Sequence, residues 1–137
     1  VNGVRIERAS LDWCTPEGHA LLRPEEQLPQ QRLQIAGVLR LVLSSPAQPA
    51  GLSIAAYAGP LATIDPLGEP ALSIDGLSAA GPGTVTLGPR SRTLEFDARL
   101  FPKEGIVSVF GEYCRPESAA CAPGPTNLIG WAFVCAR

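Results

Sequence analysis

In Arg92-Thr93-Leu94-Glu95-Phe96-Asp97-Ala98-Arg99-Leu100-Phe101, apolar and polar side chains alternate: Leu94, Phe96, Ala98 and Leu100 share one parity, Glu95, Asp97 and Arg99 the other. Successive side chains of an extended chain point to opposite faces, so this period of two predicts a half-buried strand over residues 92–101. Leu33, Ile35, Leu39, Leu41 and Leu43 repeat the pattern with Gln34 and Arg40 opposite, which reads as one long central or bent strand. Near the N-terminus Val4 and Ile6 share one parity and Leu11 and Trp13 the other, so the first strand is expected to carry a bulge near residues 8–10.

Further short strands are expected at 52–58, 71–75, 84–88, 105–114 and 128–136. Turn signals separate them: Gly-Pro recurs at 59–60, 81–82, 88–89 and 124–125. Phe101-Pro102-Lys103-Glu104-Gly105 reads as a tight turn joining two antiparallel strands. The one stretch suited to a helical turn is 23–31, where Pro24, Glu25 and Glu26 favour a helix start and Pro29 ends it. The 137 residues suffice for one domain with its own core, taken as residues 1–137. About eight short strands with this punctuation predict an all-β fold, an antiparallel β-sandwich, with a small closed or partly open β-barrel as the alternative. The spacing of immunoglobulin domains is missing: Tyr113 adjoins Cys114 instead of preceding it by two, and Trp13 precedes Cys14.

Charged residues make up 18% of the chain, 11 basic against 13 acidic, with the two signs interspersed. That leaves no basic face for nucleic acid or an anionic membrane surface. The most apolar stretch, Ile35 to Leu43, is too short to span a bilayer and contains Arg40, so no membrane insertion is expected. Met is absent altogether, which implies an N-terminus made by processing or trimming.

Of the four cysteines, Cys114, Cys121 and Cys135 lie close together and Cys14 lies far away. No C-x-x-C pair occurs and His19 is the single histidine, so the set reads as two disulfides and not as a metal site. The expected pairing is Cys114–Cys121, closing a loop, and Cys14–Cys135, tying the first strand to the last. The competitor joins Cys14 to Cys114 and Cys121 to Cys135. Disulfide usage in turn suggests a secreted or periplasmic protein.

No catalytic constellation is legible. Ser53 and Ser78 sit in weak Gly-Leu-Ser contexts without the strand-to-helix turn of a nucleophile elbow, and His19, the only candidate base, reads as a turn residue. Glu95 and Asp97 share a strand face, which is the wet side of that strand; Asp65 and Asp75 sit in turn contexts, and no calcium-loop spacing surrounds them. Neither a metal nor a cofactor is expected. Trp13, Trp131 and Phe133 are expected in the core, whereas Tyr57 and Tyr113 are the aromatics suited to contact a partner.

The segment from Arg115 to Asn127 is long for a connection between neighbouring strands. Pro116, Pro123 and Pro125 stiffen it, and a preorganised loop loses less entropy on meeting a partner. The expected function is a non-enzymatic binding or interaction module, an inhibitor being one form of it, that presents residues 115–120 to a protein or glycan. Its binding residues would be Tyr113, Arg115, Pro116, Glu117 and Ser118, with Tyr57. A structural subunit assembling through its sheet edges is the alternative. A small-ligand carrier or enzyme with a barrel cavity is the third reading.

Overall fold

The computed structural model describes residues 1–22, 29, 31–44, 48–65, 68–78, 81–115 and 126–137. Two antiparallel-dominated sheets pack face to face as a β-sandwich, and neither closes into a barrel. The strands are β1 (Arg8–Thr15), β2 (Gly18–Leu22), β3 (Arg32–Gln34), β4 (Val38–Ser44), β5 (Gly51–Ala58), β6 (Leu72–Asp75), β7 (Gly83–Gly88), β8 (Ser91–Asp97), β9 (Glu104–Cys114) and β10 (Thr126–Ala136). The large sheet runs β2-β1-β10-β9-β5-β6 and the small one β4-β8-β7. One edge of β10 is shared: β1 lies antiparallel along its first half, and β3 lies parallel to Val134–Ala136. The chain therefore visits the sheets in the Greek-key order of immunoglobulin-type sandwiches, with β4-β8-β7 in the places of strands B-E-D and β6-β5-β9-β10 in those of C′-C-F-G.

The core lies between the inner faces. Leu39, Leu41, Leu43, Leu94 and Phe96 from the small sheet meet Leu52, Ile54, Val107, Val109 and Phe133 from the large one. The alternation that predicted these strands is the alternation that buries them: β4 is exposed and buried at successive residues throughout its length. Full burial of one such aliphatic side chain contributes about 1.5–3 kcal/mol.

Four sequence expectations change. The long strand over Leu33 to Leu43 is two strands in different sheets, because Gly37 adopts a positive φ of 69° and turns the chain between them. The strand read over 92–101 ends at Asp97. Its carboxylate accepts the Arg99 backbone N–H at 2.9 Å and opens a 3-10 turn, so Leu100 faces solvent and Phe101 is buried instead. Residues 101–105 then cross from β8 in one sheet to β9 in the other and do not close a hairpin. Finally, β2 occupies residues read as a turn around His19. By contrast, the register of β1 does shift between Arg8 and Ser10, where the bulge is predicted. The helical turn expected over 23–31 falls almost wholly outside the described residues.

Both expected disulfides fail. Cys114 and Cys135 are free thiols, and among the described residues no two cysteines lie at disulfide distance. Cys14 is not among the free thiols. Its backbone is bonded to Asn127, whereas Cys135 lies eight residues further along the same strand. Eight residues of extended chain span roughly 26 Å, and a disulfide needs Cα atoms within about 7 Å. Cys114 projects from the solvent side of β9, on the parity of exposed Glu112. Cys135 is buried, and that burial pushes its thiol pKa up. Alkylation of the native protein at mildly alkaline pH is expected to modify Cys114 and to spare Cys135 until the protein unfolds. Peptide mass spectrometry reads both sites, and equal labelling rates would contradict the placement.

Candidate functional site

The connections between β4 and β5, between β7 and β8 and between β9 and β10 all leave and re-enter at one end of the sandwich, which the turn between β1 and β2 also overhangs. This end is built around Asn127, which is 2% exposed. Its Oδ1 accepts the Cys14 backbone N–H at 2.8 Å and its Nδ2 donates to the Cys14 carbonyl at 3.1 Å, so one amide side chain replaces a rung of the β1–β10 ladder. A buried amide stays in place only when such partners are supplied.

Arg115 sits on that rung. Its Nε donates to Asn127 Oδ1 at 3.2 Å and its Nη2 to the Thr126 carbonyl at 2.9 Å, while Nη2 lies 3.7 Å from Asp12 Oδ1. Asp12 Oδ1 in turn lies 2.9 Å from His19 Nε2. With 12% of its side chain exposed, Arg115 is a clamp at the base of the 115–125 connection, not an outward contact. The His19–Asp12 pair resembles half of a relay, but no described hydroxyl or thiol is hydrogen-bonded to the His19 ring.

Tyr113 is 4% exposed. Its ring folds back over Gly111, where an added Cβ would come within 3.1 Å of Cε2, and stacks against Trp13 with centroids 5.4 Å apart at 57°. This tilted pair closes the inner face at the loop end. Tyr57 is half-buried on the outer face of the large sheet, where it pairs with Ile106 at the opposite end of the sandwich. Of the residues singled out from the sequence, Tyr113 and Arg115 therefore both flank Asn127 and Tyr57 lies apart from them, while Pro116, Glu117 and Ser118 lie outside the described residues. Ser53 lies exposed on β5, remote from His19, and Glu95 and Asp97 are paired with Arg40 and Arg99.

Sequence reasoning missed Arg92. It shares the inward parity of Leu94 and Phe96 and pairs with Leu43 on one side and Leu87 on the other, in the last inward row of the small sheet at the loop end. Its Nε and Nη1 are shielded from solvent and, among the described residues, have no hydrogen-bond partner. The available signal was a charged residue on the apolar parity of a strand. Arg92 stands two residues before Leu94, at the start of the strand predicted over 92–101.

At the far end two surface hollows of about 660 Å³ and 680 Å³ meet at Gly37 and Asp97. The first carries Arg99, Lys103 and Arg137. Side-chain and backbone hydrogen bonds from Arg99 hold the Asp97 carboxyl at about 2, so Asp97 stays ionised where the two hollows meet. Among the described residues no three metal-ligating side chains cluster, and no helix is long and apolar enough to cross a membrane. Compared with known proteins, the chain matches no family model, no curated protein and no solved structure.

Proposed function

We propose that this chain is a non-enzymatic binding module that meets a protein or glycan partner with the loop-bearing end of the sandwich. The observation that carries the reading is Arg92. Buried N–H groups without acceptors destabilise a fold by about 1–3 kcal/mol each site, and more when charged, so they persist where something other than stability retains them. Arg92 stands at the base of the end from which three connections emerge, with unused donors and an exposed leucine, Leu87, beside it. A partner that brings a carboxylate or a similarly strong acceptor together with an apolar group would complete it.

Site-directed photo-cross-linking tests the proposal. A photoreactive residue at Arg90, in the turn between β7 and β8 at the loop end, or at position 118 of the sequence between β9 and β10, is expected to capture a discrete adduct from an extract of the cells that make the protein. The same residue at Ser73, on the exposed side of β6, is expected not to. Equal yields from both places, or capture only from Ser73, would contradict it. A companion expectation separates clamp from contact: Arg115→Ala lowers thermal stability, whereas Glu117→Ala leaves it unchanged and weakens adduct formation.

A further inference from the structure

Besides β3, which is three residues long, carries Arg32 and pairs only with β10, the two sheets present four outer strands, and these differ in how they are protected. On β4, Asn2 occupies the free side: its backbone N–H donates to the Arg40 carbonyl at 2.9 Å, its Oδ1 accepts the Arg40 N–H at 2.7 Å, and its Nδ2 donates to the Val38 carbonyl at 3.2 Å. β6 is four residues long, is preceded by Pro70 and ends on Asp75. β2 is five residues long and runs directly into residues outside those described. β7 has none of the usual devices: Gly83-Thr84-Val85-Thr86-Leu87-Gly88 contains no charge and no proline, and pairs with β8 at every residue without a bulge. It is also the strand richest in consecutive β-branched residues, with Thr84, Val85 and Thr86 in a row.

The two-residue turn at 89–90 makes Gly88 and Ser91 a hydrogen-bonded pair, so by alternation the N–H and C=O groups of Gly83, Val85 and Leu87 point away from β8. Among the described residues nothing accepts from or donates to them on that side. We propose that β7 is a docking edge for the β7 of a second copy of this chain, paired antiparallel about Val85 to join two small sheets into one six-stranded sheet.

The copy is favoured as occupant by the strand's own pattern. With Val85 opposite its symmetry mate, core-side residues oppose core-side residues, and Thr84 opposes Thr86 of the second copy on the solvent face. Leu87, 64% exposed in the single chain, then lies opposite the glycine at 83, where no side chain competes for the space. No charge is set against its like, and about six ladder hydrogen bonds form across the dyad. Pairing about Thr86 instead sets Leu87 against Val85 and Thr84 against glycine, which loses the large-against-small fit. This inference shares Leu87 with the loop-end reading but not Thr84, Val85 or Thr86, so the lysine variants at 84 and 86 test it without altering the surroundings of Arg92.

Sedimentation velocity from micromolar to near-millimolar protein tests it. The native chain is expected to show a reversible monomer–dimer equilibrium. The double variant Thr84→Lys/Thr86→Lys, which sets lysines opposite each other across the dyad, is expected to weaken association by roughly tenfold or more with an unchanged unfolding midpoint. Leu87→Pro is the second variant: it removes two of the dyad's donors, and the exposed, outward-directed N–H makes proline tolerable there. Mixing the double-lysine chain with Thr84→Glu/Thr86→Glu is expected to restore a dimer. A strict monomer over the whole range would overturn the proposal, as would a dimer indifferent to both variants, or one abolished instead by Leu21→Lys on β2.

Discussion

Asn127→Ala is expected to destabilise the protein by about 3–5 kcal/mol, because the substitution strands three groups together. The Cys14 N–H and C=O lose their partners in a site closed to water, and Arg115 Nε loses its acceptor. The hydrophobic area removed is small, so nearly all of the loss is unsatisfied polarity. Asn127→Asp keeps an acceptor for the Cys14 N–H and for Arg115 but sets a carboxylate oxygen against the Cys14 carbonyl, so it recovers only part of the stability. Urea denaturation of the three proteins orders them native, Asp, Ala. An Ala variant within about 1 kcal/mol of native would mean that water replaces the amide and that the loop end is not anchored through this side chain.

Gly105→Ala is expected to cost about 3 kcal/mol or more, from steric conflict and not from lost burial. Gly105 lies in β9 between Ala58 and Cys135, and a Cβ built there falls on the Tyr57 carbonyl oxygen, with Pro102 Cγ 3.2 Å away. The obstacle is backbone in a paired strand, which has no rotamer to change, so β5 and β9 must separate at that end. Thermal unfolding checks it. A midpoint lowered by only a degree or two would show that the sheet opens there without strain.

How much of this was legible depended on whether the deciding information was local. Period-two alternation located β5 and β9, each of which buries one parity more than the other, and turn residues at their ends located β7 and β10, all to within a few residues. It failed where one residue changed the geometry without breaking the pattern. Leu33, Ile35, Leu39 and Leu41 keep one parity through Gly37, and only the backbone shows that the chain changes sheets there. Leu100 keeps the parity of Leu94, but the Asp97 side chain caps a turn first.

The candidate site was less legible, since its parts are far apart in sequence. Asn127 reaches Cys14 across 113 positions, and nothing local to either residue announces that contact. The disulfide pairing failed for the same reason: strand order places Cys14 and Cys135 toward opposite ends of β10. Tyr113 and Arg115 were singled out for their position beside a long connection, and both are used to hold its base. Arg92 was legible in principle, as an arginine on an apolar parity, and it carries the functional proposal.

If the loop-bearing end gives up stability for recognition at Arg92, the variant Arg92→Met measures both sides of that exchange in one protein. Methionine keeps an apolar stem between Leu43 and Leu87 and removes the unpartnered donors, so stability is expected to rise by about 1–2 kcal/mol, a higher unfolding midpoint. Photo-cross-linking from position 118 of the same variant is expected to give markedly less adduct than from the native chain. A more stable protein with diminished capture is the predicted result; undiminished capture, or a lower midpoint, would contradict the account.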